Sequence, residues 1–144
     1  MAQKRLPDDF KDFLNSLNKN EVEYLLLGGW AVGIYGAPRV TADMDVFIAV
    51  DDENITKLQN ALYEFGAPTV PNEHFQEVGR IFRMGRSPIR IEILNSASGI
   101  DFQTCYKNRN ILKIDNIDIS IISPSDLLKN KKASGSRGNR WVCS

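Results

Sequence analysis

Two carboxylates one residue apart, in the run Thr41-Ala42-Asp43-Met44-Asp45, follow shortly after the pair Gly28-Gly29. Residues i and i+2 of a strand face the same way, so Asp43 and Asp45 would project side by side, about 6–7 Å apart at Cα. That spacing suits two divalent ions ~3.5–4 Å apart, and magnesium accepts one or two carboxylates together with water and substrate phosphates. Gly28 and Gly29 carry no Cβ, which lets a phosphate approach the backbone, and the N–H groups opening the next helix would offer it partial positive charge. The order glycines, helix, carboxylates therefore describes a phosphate cradle beside a metal site, equipment for a nucleoside triphosphate. Taken singly, each part has a plainer reading: a carboxylate pair facing solvent, and a strand-to-helix turn without a ligand.

A third carboxylate is the next requirement. Glu92 stands in Ile89-Arg90-Ile91-Glu92-Ile93-Leu94, where the isoleucines alternate onto one face and leave Arg90, Glu92 and Leu94 on the other. A charge in an apolar strand is costly unless paired or bound to metal. Glu92 is thus either a metal ligand, the base orienting an attacking hydroxyl, or half of a structural Arg90–Glu92 pair. No Gly-x-x-x-x-Gly-Lys and no Gly-x-Gly-x-x-Gly occurs, which argues against a P-loop and a Rossmann dinucleotide site.

The elements that must position these groups can be read from periodicity. Leu6, Phe10, Phe13, Leu14 and Leu17 predict a helix over about 7–18, opened by Pro7 with Asp8 and Asp9 at the positive end of its dipole. The run 24–27 predicts a buried strand, 30–35 a brief helix closed by Gly36, and 43–50 a second strand. Ile55, Leu58, Leu62 and Phe65 define a helix that starts near Asp51 or Asp52 and stops at Gly66. The second half predicts a hairpin of 78–84 with 89–94, a short helix over 99–107 and a hairpin of 111–114 with 117–122 turning at Asp115-Asn116. A final helix is capped by Ser123, with Pro124 in its first turn and Asp126 at the capping-box position. The class is α+β (mixed α/β), a mixed sheet flanked by helices. Residues 1–132 read as one domain. Residues 133–144, with Gly135, Ser136 and Gly138 and no continued apolar period, read as a loosely ordered tail.

Composition narrows the function classes. The chain has 144 residues, 42% hydrophobic and 25% charged, and a formal net charge of zero, without the basic field of a general nucleic-acid binder. The charge is unevenly placed. Residues 1–79 hold 6 Lys/Arg against 13 Asp/Glu, and residues 80–144 hold 12 against 5. The acidic and basic halves could face one cleft, or simply form two solvated faces. Cys105 and Cys143 are far apart and lack metal-ligand spacing, as expected of reduced thiols in a cytoplasmic protein. No apolar run is long enough to span a membrane, and Met1-Ala2-Gln3-Lys4-Arg5 does not open a signal peptide.

Taken together, Gly28-Gly29-Trp30-Ala31-Val32, Tyr35-Gly36, Arg39, Thr41, Asp43, Asp45 and the later Glu92 resemble the minimal nucleotidyltransferases of the DNA polymerase β-like superfamily. The resemblance covers roughly residues 20–130. It implies a nucleotidyltransferase-like mixed sheet, a triphosphate held at Gly28 and Gly29, and two Mg2+ ions held by Asp43 and Asp45 with Glu92 completing the triad. Members more often carry Asp at the position of Glu92. It further implies an NTP, ATP foremost, as donor of a nucleoside monophosphate to an acceptor hydroxyl on a protein, an RNA end or a small molecule such as an antibiotic. A protein partner, as in toxin–antitoxin pairs, fits the small size. The competing reading is a non-catalytic module of the same fold, acting as an antitoxin-like or regulatory partner. Arg39 and Thr41 are expected to touch phosphate or to order the loop before Asp43. Lys129, Lys131 and Lys132 would reach phosphates or an RNA acceptor, or form a solvated face. Trp30 is assigned to the core and His74, the single histidine, to a loop without a role. Relatives continue after the Lys-rich helix with Gly-Arg-x-x-Asp and another helix. Here the chain reads Gly135-Ser136-Arg137-Gly138-Asn139-Arg140, a departure expected of a diverged or shortened terminus.

Overall fold

The structure, a computed structural model, describes residues 6–36, 43–86 and 89–135. Six strands, β1 (Tyr24–Leu27), β2 (Asp43–Ile48), β3 (Ile81–Arg86), β4 (Ile89–Leu94), β5 (Asn110–Ile114) and β6 (Ile117–Ile121), form one sheet in the order β3-β4-β2-β1-β6-β5. The pairs β2–β4 and β1–β6 are parallel, while β1–β2, β3–β4 and β5–β6 are antiparallel. Among the described residues six helices accompany it: α1 (Asp8–Lys19), α2 (Gly28–Ile34), α3 (Asp52–Phe65), α4 (Glu73–Gln76), α5 (Phe102–Lys107) and α6 (Pro124–Gly135). The mixed α+β architecture is the one expected.

Burial explains the layers. All four residues of β1 are buried, as a central strand covered on both faces must be. Phe10, Phe13, Leu14 and Leu17 of α1 are fully buried, and each such side chain contributes at most ~1.5–3 kcal/mol. Phe13 meets Phe65 of α3 edge-on at 5.5 Å, and Phe10 meets Trp30 of α2 at 5.5 Å, so Trp30 does pack against the core. Met44, Val46 and Ile48 fill one face of β2. On the other face Phe47 packs edge-on against Phe102 of α5 at 5.1 Å.

Side-chain amides and hydroxyls fix several ends. Ser123 Oγ accepts from Asp126 N at 3.2 Å, the expected cap of α6, and Asp51 accepts from Asn54 N at 3.1 Å to cap α3. Buried Asn54 also clamps the end of β2 to the chain entering β1. Its Oδ1 accepts from Glu23 N at 2.7 Å, and its Nδ2 donates to Glu23 O and Ala49 O at 3.1 and 2.7 Å. Substituting Asn54→Ala removes three hydrogen bonds to the backbone, leaving Glu23 O only the Ala49 N–H at 3.4 Å, and is expected to destabilise the domain by ~2–4 kcal/mol in urea melts.

Elsewhere the boundaries differ from expectation for identifiable reasons. β3 starts at Ile81, not at 78, because the Asn95 side chain takes over the backbone that would have paired. It accepts from Gly79 N and donates to Phe75 O and Glu77 O. The single turn α4 was not foreseen. Phe75 draws it inward, meeting Phe82 at 5.4 Å, and His74 stands in this helix against the same rings rather than in a loop. α2 begins at Gly28, two residues early, and α5 begins only at Phe102, since Asp101 caps it through Thr104 N at 3.0 Å. α6 runs on to Gly135, and the remainder of the expected tail lies outside the described residues. Among the described residues no helix is long and apolar enough to cross a membrane.

Candidate functional site

Strand register assembles the site. Leu27 of β1 pairs with Asp45 of β2, Asp45 with Glu92 of β4, and Glu92 with Arg83 of β3. Paired residues face the same way, so Asp45, Glu92 and Arg83 form one row across three strands. One step along, Asp43 pairs with Arg90 and shares that face. The three expected carboxylates thus meet at one end of the sheet, where β1 also ends and α2 begins.

Gly28 closes the row from above. Its φ is +68°, and a Cβ placed on it would fall onto Asp45 Oδ2, far inside contact distance. Both glycines are buried, and no side chain caps the start of α2. The backbone thus approaches the Asp45 carboxylate closely, at a helix end whose N-cap residue, Leu27, supplies no acceptor.

The electrostatics follow from this crowding. Burial raises the Asp45 carboxyl, the Glu92 and Asp43 charges raise it further, and a hydrogen bond with Glu92 adds to them, bringing it up to about 7. Each outer carboxylate has a cation. Arg83 Nε donates to Glu92 Oε2 at 2.9 Å, and Arg90 Nε lies 3.5 Å from Asp43 Oδ1. The structural pair that could be read as Arg90–Glu92 is therefore two cross-strand pairs, Arg83–Glu92 and Arg90–Asp43. Of these two pairs, Arg90–Asp43 joins the acidic first half of the chain to the basic second half.

The donor set is chemically right for magnesium: three carboxylates on one face, oxygen-only, with a cradle above them that any Cβ would fill. As the side chains stand, two of the three point their oxygens at arginines. Among the described residues no three His, Cys, Asp or Glu side chains are gathered in the arrangement that holds a metal.

The other expected residues divide. Arg39 and Thr41 lie outside the described residues. Lys129 approaches Asp126 in the first turn of α6 at 3.8 Å. Lys131 and Lys132 are exposed on later turns, where Asn130 donates to Ser98 O and Ala133 packs at Gly99. That is the end of the sheet opposite the carboxylates, because Ser98 and Gly99 follow the C-terminus of β4. A cleft of about 500 Å3, lined by Phe47, Val50, Asp51, Ala97, Ile100 and Phe102 among others, opens at that same far end. Sequence reasoning missed the roles of Arg83 and Arg90. The signal was present for Arg83, because a hairpin centred on residues 87–88 places 83 opposite 92.

In sequence, the chain matches no protein-family model and no curated protein. In structure it resembles a Thermotoga maritima protein, solved by crystallography and provisionally named a nucleotidyltransferase. The TM-score is 0.66 at 14% identity, over 93% of this chain and 87% of that one. The chain therefore has a nucleotidyltransferase-like fold.

Proposed function

We propose that this protein is a magnesium-dependent nucleotidyltransferase of the polymerase β-like kind, moving a nucleoside monophosphate from an NTP, ATP foremost, to an acceptor hydroxyl with loss of pyrophosphate. The observation that carries the reading is the row Asp45–Glu92 with Asp43 beside it, set directly beneath Gly28 at the mouth of α2. Asp43, Asp45 and Glu92 would hold the metal. Bound there, magnesium would supply charge neutralisation for the triphosphate and activation of the acceptor hydroxyl. The chain's own part is positional. Gly28 and Gly29 leave room for phosphate oxygens at the backbone, and Arg39 and Thr41, in the segment leading to Asp43, are assigned to phosphate contact. The three carboxylates fix where the reacting phosphorus must lie, and catalysis rests on that positioning and on charge stabilisation. The acceptor is a protein, an RNA end or a small molecule, and a protein partner such as that of a toxin–antitoxin pair belongs to the same reading.

The arginine pairs of Asp43 and Glu92 favour one second reading, a non-catalytic module that keeps the fold and serves as an antitoxin-like or regulatory partner. Radiolabelled NTPs incubated with the protein, Mg2+ and a cell lysate separate the two. Transfer of label to a defined acceptor, lost with EDTA and with Asp43→Asn, is the expected result. Equal labelling by Asp43→Asn would sink the metal assignment. Failure to bind a nonhydrolysable ATP analogue with Mg2+ would favour the module.

A further inference from the structure

Asp45 and Glu92 in one row, with Asp43 beside them on the same face, repel one another, and the fold answers by placing an arginine against Glu92 and another against Asp43. Each arginine engages one oxygen of a carboxylate that a metal would need. For Arg83 the geometry is unambiguous: it is the cross-strand partner of Glu92, its Nε–Oε2 distance is 2.9 Å, and the Glu92 side chain is only 18% exposed while that of Arg83 is 54% exposed. Glu92 is the less movable partner of the two, and Arg83 is the one with open solvent to turn into.

We infer that Arg83 is an exchangeable counter-ion of the site: it neutralises Glu92 while metal is absent, yields Glu92 to the metal, and turns to the phosphates that arrive with it. This rests on the nucleotidyltransferase reading and adds to it a positioning residue. Divalent metal and Arg83 compete for one carboxylate, so each weakens the other's hold on Glu92. The triphosphate brings several negative charges to the same place. A guanidinium released from a carboxylate there finds a phosphate, for which its planar fork is equally suited. Arg83 thus opposes binding of the metal alone and assists binding of the metal together with nucleotide, a bias toward filling the site only with the complete metal–NTP pair. A purely structural pair would instead only tie β3 to β4.

The test uses the full-length protein, Mn2+ as the metal probe and a nonhydrolysable ATP analogue, with both affinities measured by calorimetry. The variants are Arg83→Gln and, as the charge-matched control, Arg86→Gln. Arg86 is three residues along β3, hence on the opposite face of the strand, and is exposed. Arg83→Gln is expected to bind Mn2+ about fivefold more tightly, the equivalent of removing one pair of this exposure. With Mn2+ saturating, it should bind the analogue about tenfold more weakly, the loss of one charge-assisted phosphate contact. Arg86→Gln should move neither constant by more than roughly twofold, as a surface charge away from the row. Equal shifts in the two variants, or weaker Mn2+ binding by Arg83→Gln, would overturn the exchange while leaving the function intact. A wild-type protein that binds neither Mn2+ nor the analogue would overturn the function and the exchange together.

Discussion

Replacing Asp45 with Asn will make the metal-free protein more stable at pH 8 and sharply lower the proposed nucleotidyl transfer. Asp45 is an acid whose folded value is lifted to about 7 from an ordinary 3.8, chiefly by burial and then by Glu92 and Asp43. Such a group binds its proton more tightly in the folded than in the unfolded chain. Its favourable, protonated contribution is therefore complete below about pH 4 and is lost as pH rises through about 7. Above pH 7 the folded chain must carry a buried anion beside two others. The shift corresponds to ~2–4 kcal/mol after allowing for relaxation of so crowded a cluster. Asparagine has the same shape and no charge. Asp45→Asn should melt roughly 5–10 °C above wild type at pH 8 and at nearly the same temperature at pH 4. Mg2+ should recover much of that difference for wild type and none for the variant, since a bound cation removes the repulsion that asparagine never had. Transfer should fall by ~100-fold or more, because charge stabilisation by a bound metal is worth several kcal/mol. Stability and activity moving in opposite directions is what marks a residue held under electrostatic strain for function. An Asp45→Asn protein less stable than wild type at pH 8 would contradict the crowding, and one that kept full activity would contradict the role.

Local signals carried the reading a long way here. The strand 24–27 and the α3 limits at Asp51 and Gly66 were legible, as was the Ser123 cap, because each depends on neighbours within four residues. The faces of β4 were legible as well, because the two-residue period of a strand tells inside from outside without knowing what lies there. The meeting of Glu92 with Asp45 was not legible from local signals, since it depends on β4 lying parallel to β2 across a connection of some forty residues. A charge standing in an apolar strand marked Glu92 as a candidate third ligand, and the resemblance to known nucleotidyltransferases supported joining the two. The arginine partners escaped for the same reason, and the Arg90–Glu92 alternative gave way to two cross-strand pairs. Arg90 and Glu92 are neighbours in sequence and share a face, yet each is drawn to a different strand. α4 escaped notice because a single turn has no period to detect, and it exists through the contacts of Phe75 and His74 with Phe82.

The mirror image of the Asp45 result is a substitution that adds one methyl group above it. Gly28→Ala is expected to destabilise the protein by ~3 kcal/mol or more and to remove the proposed metal binding. Two costs combine. The residue sits at φ +68°, where a side chain costs ~1–2 kcal/mol. The new Cβ also lands on Asp45 Oδ2 and comes within 3.1 Å of its Cγ, so the carboxylate must leave the position that the row requires. Gly66, which ends α3, separates the two costs. Its φ is +93° and nothing lies within 4 Å of an added Cβ, so Gly66→Ala should cost only ~1 kcal/mol and leave nucleotide binding alone. The remainder belongs to contact with Asp45, and a double-mutant cycle measures it. In an Asp45→Ala background the carboxylate is gone and only the Cβ contact at 3.2 Å remains. Gly28→Ala should there cost ~1–2 kcal/mol less than in wild type, a coupling of the size neighbouring residues show. Additive effects of the two substitutions in urea melts would mean that Gly28 serves only its own turn and not the carboxylate beneath it. A positive coupling ties the glycine and the aspartate into one device, in which the absence of a side chain at Gly28 keeps the Asp45 oxygens free.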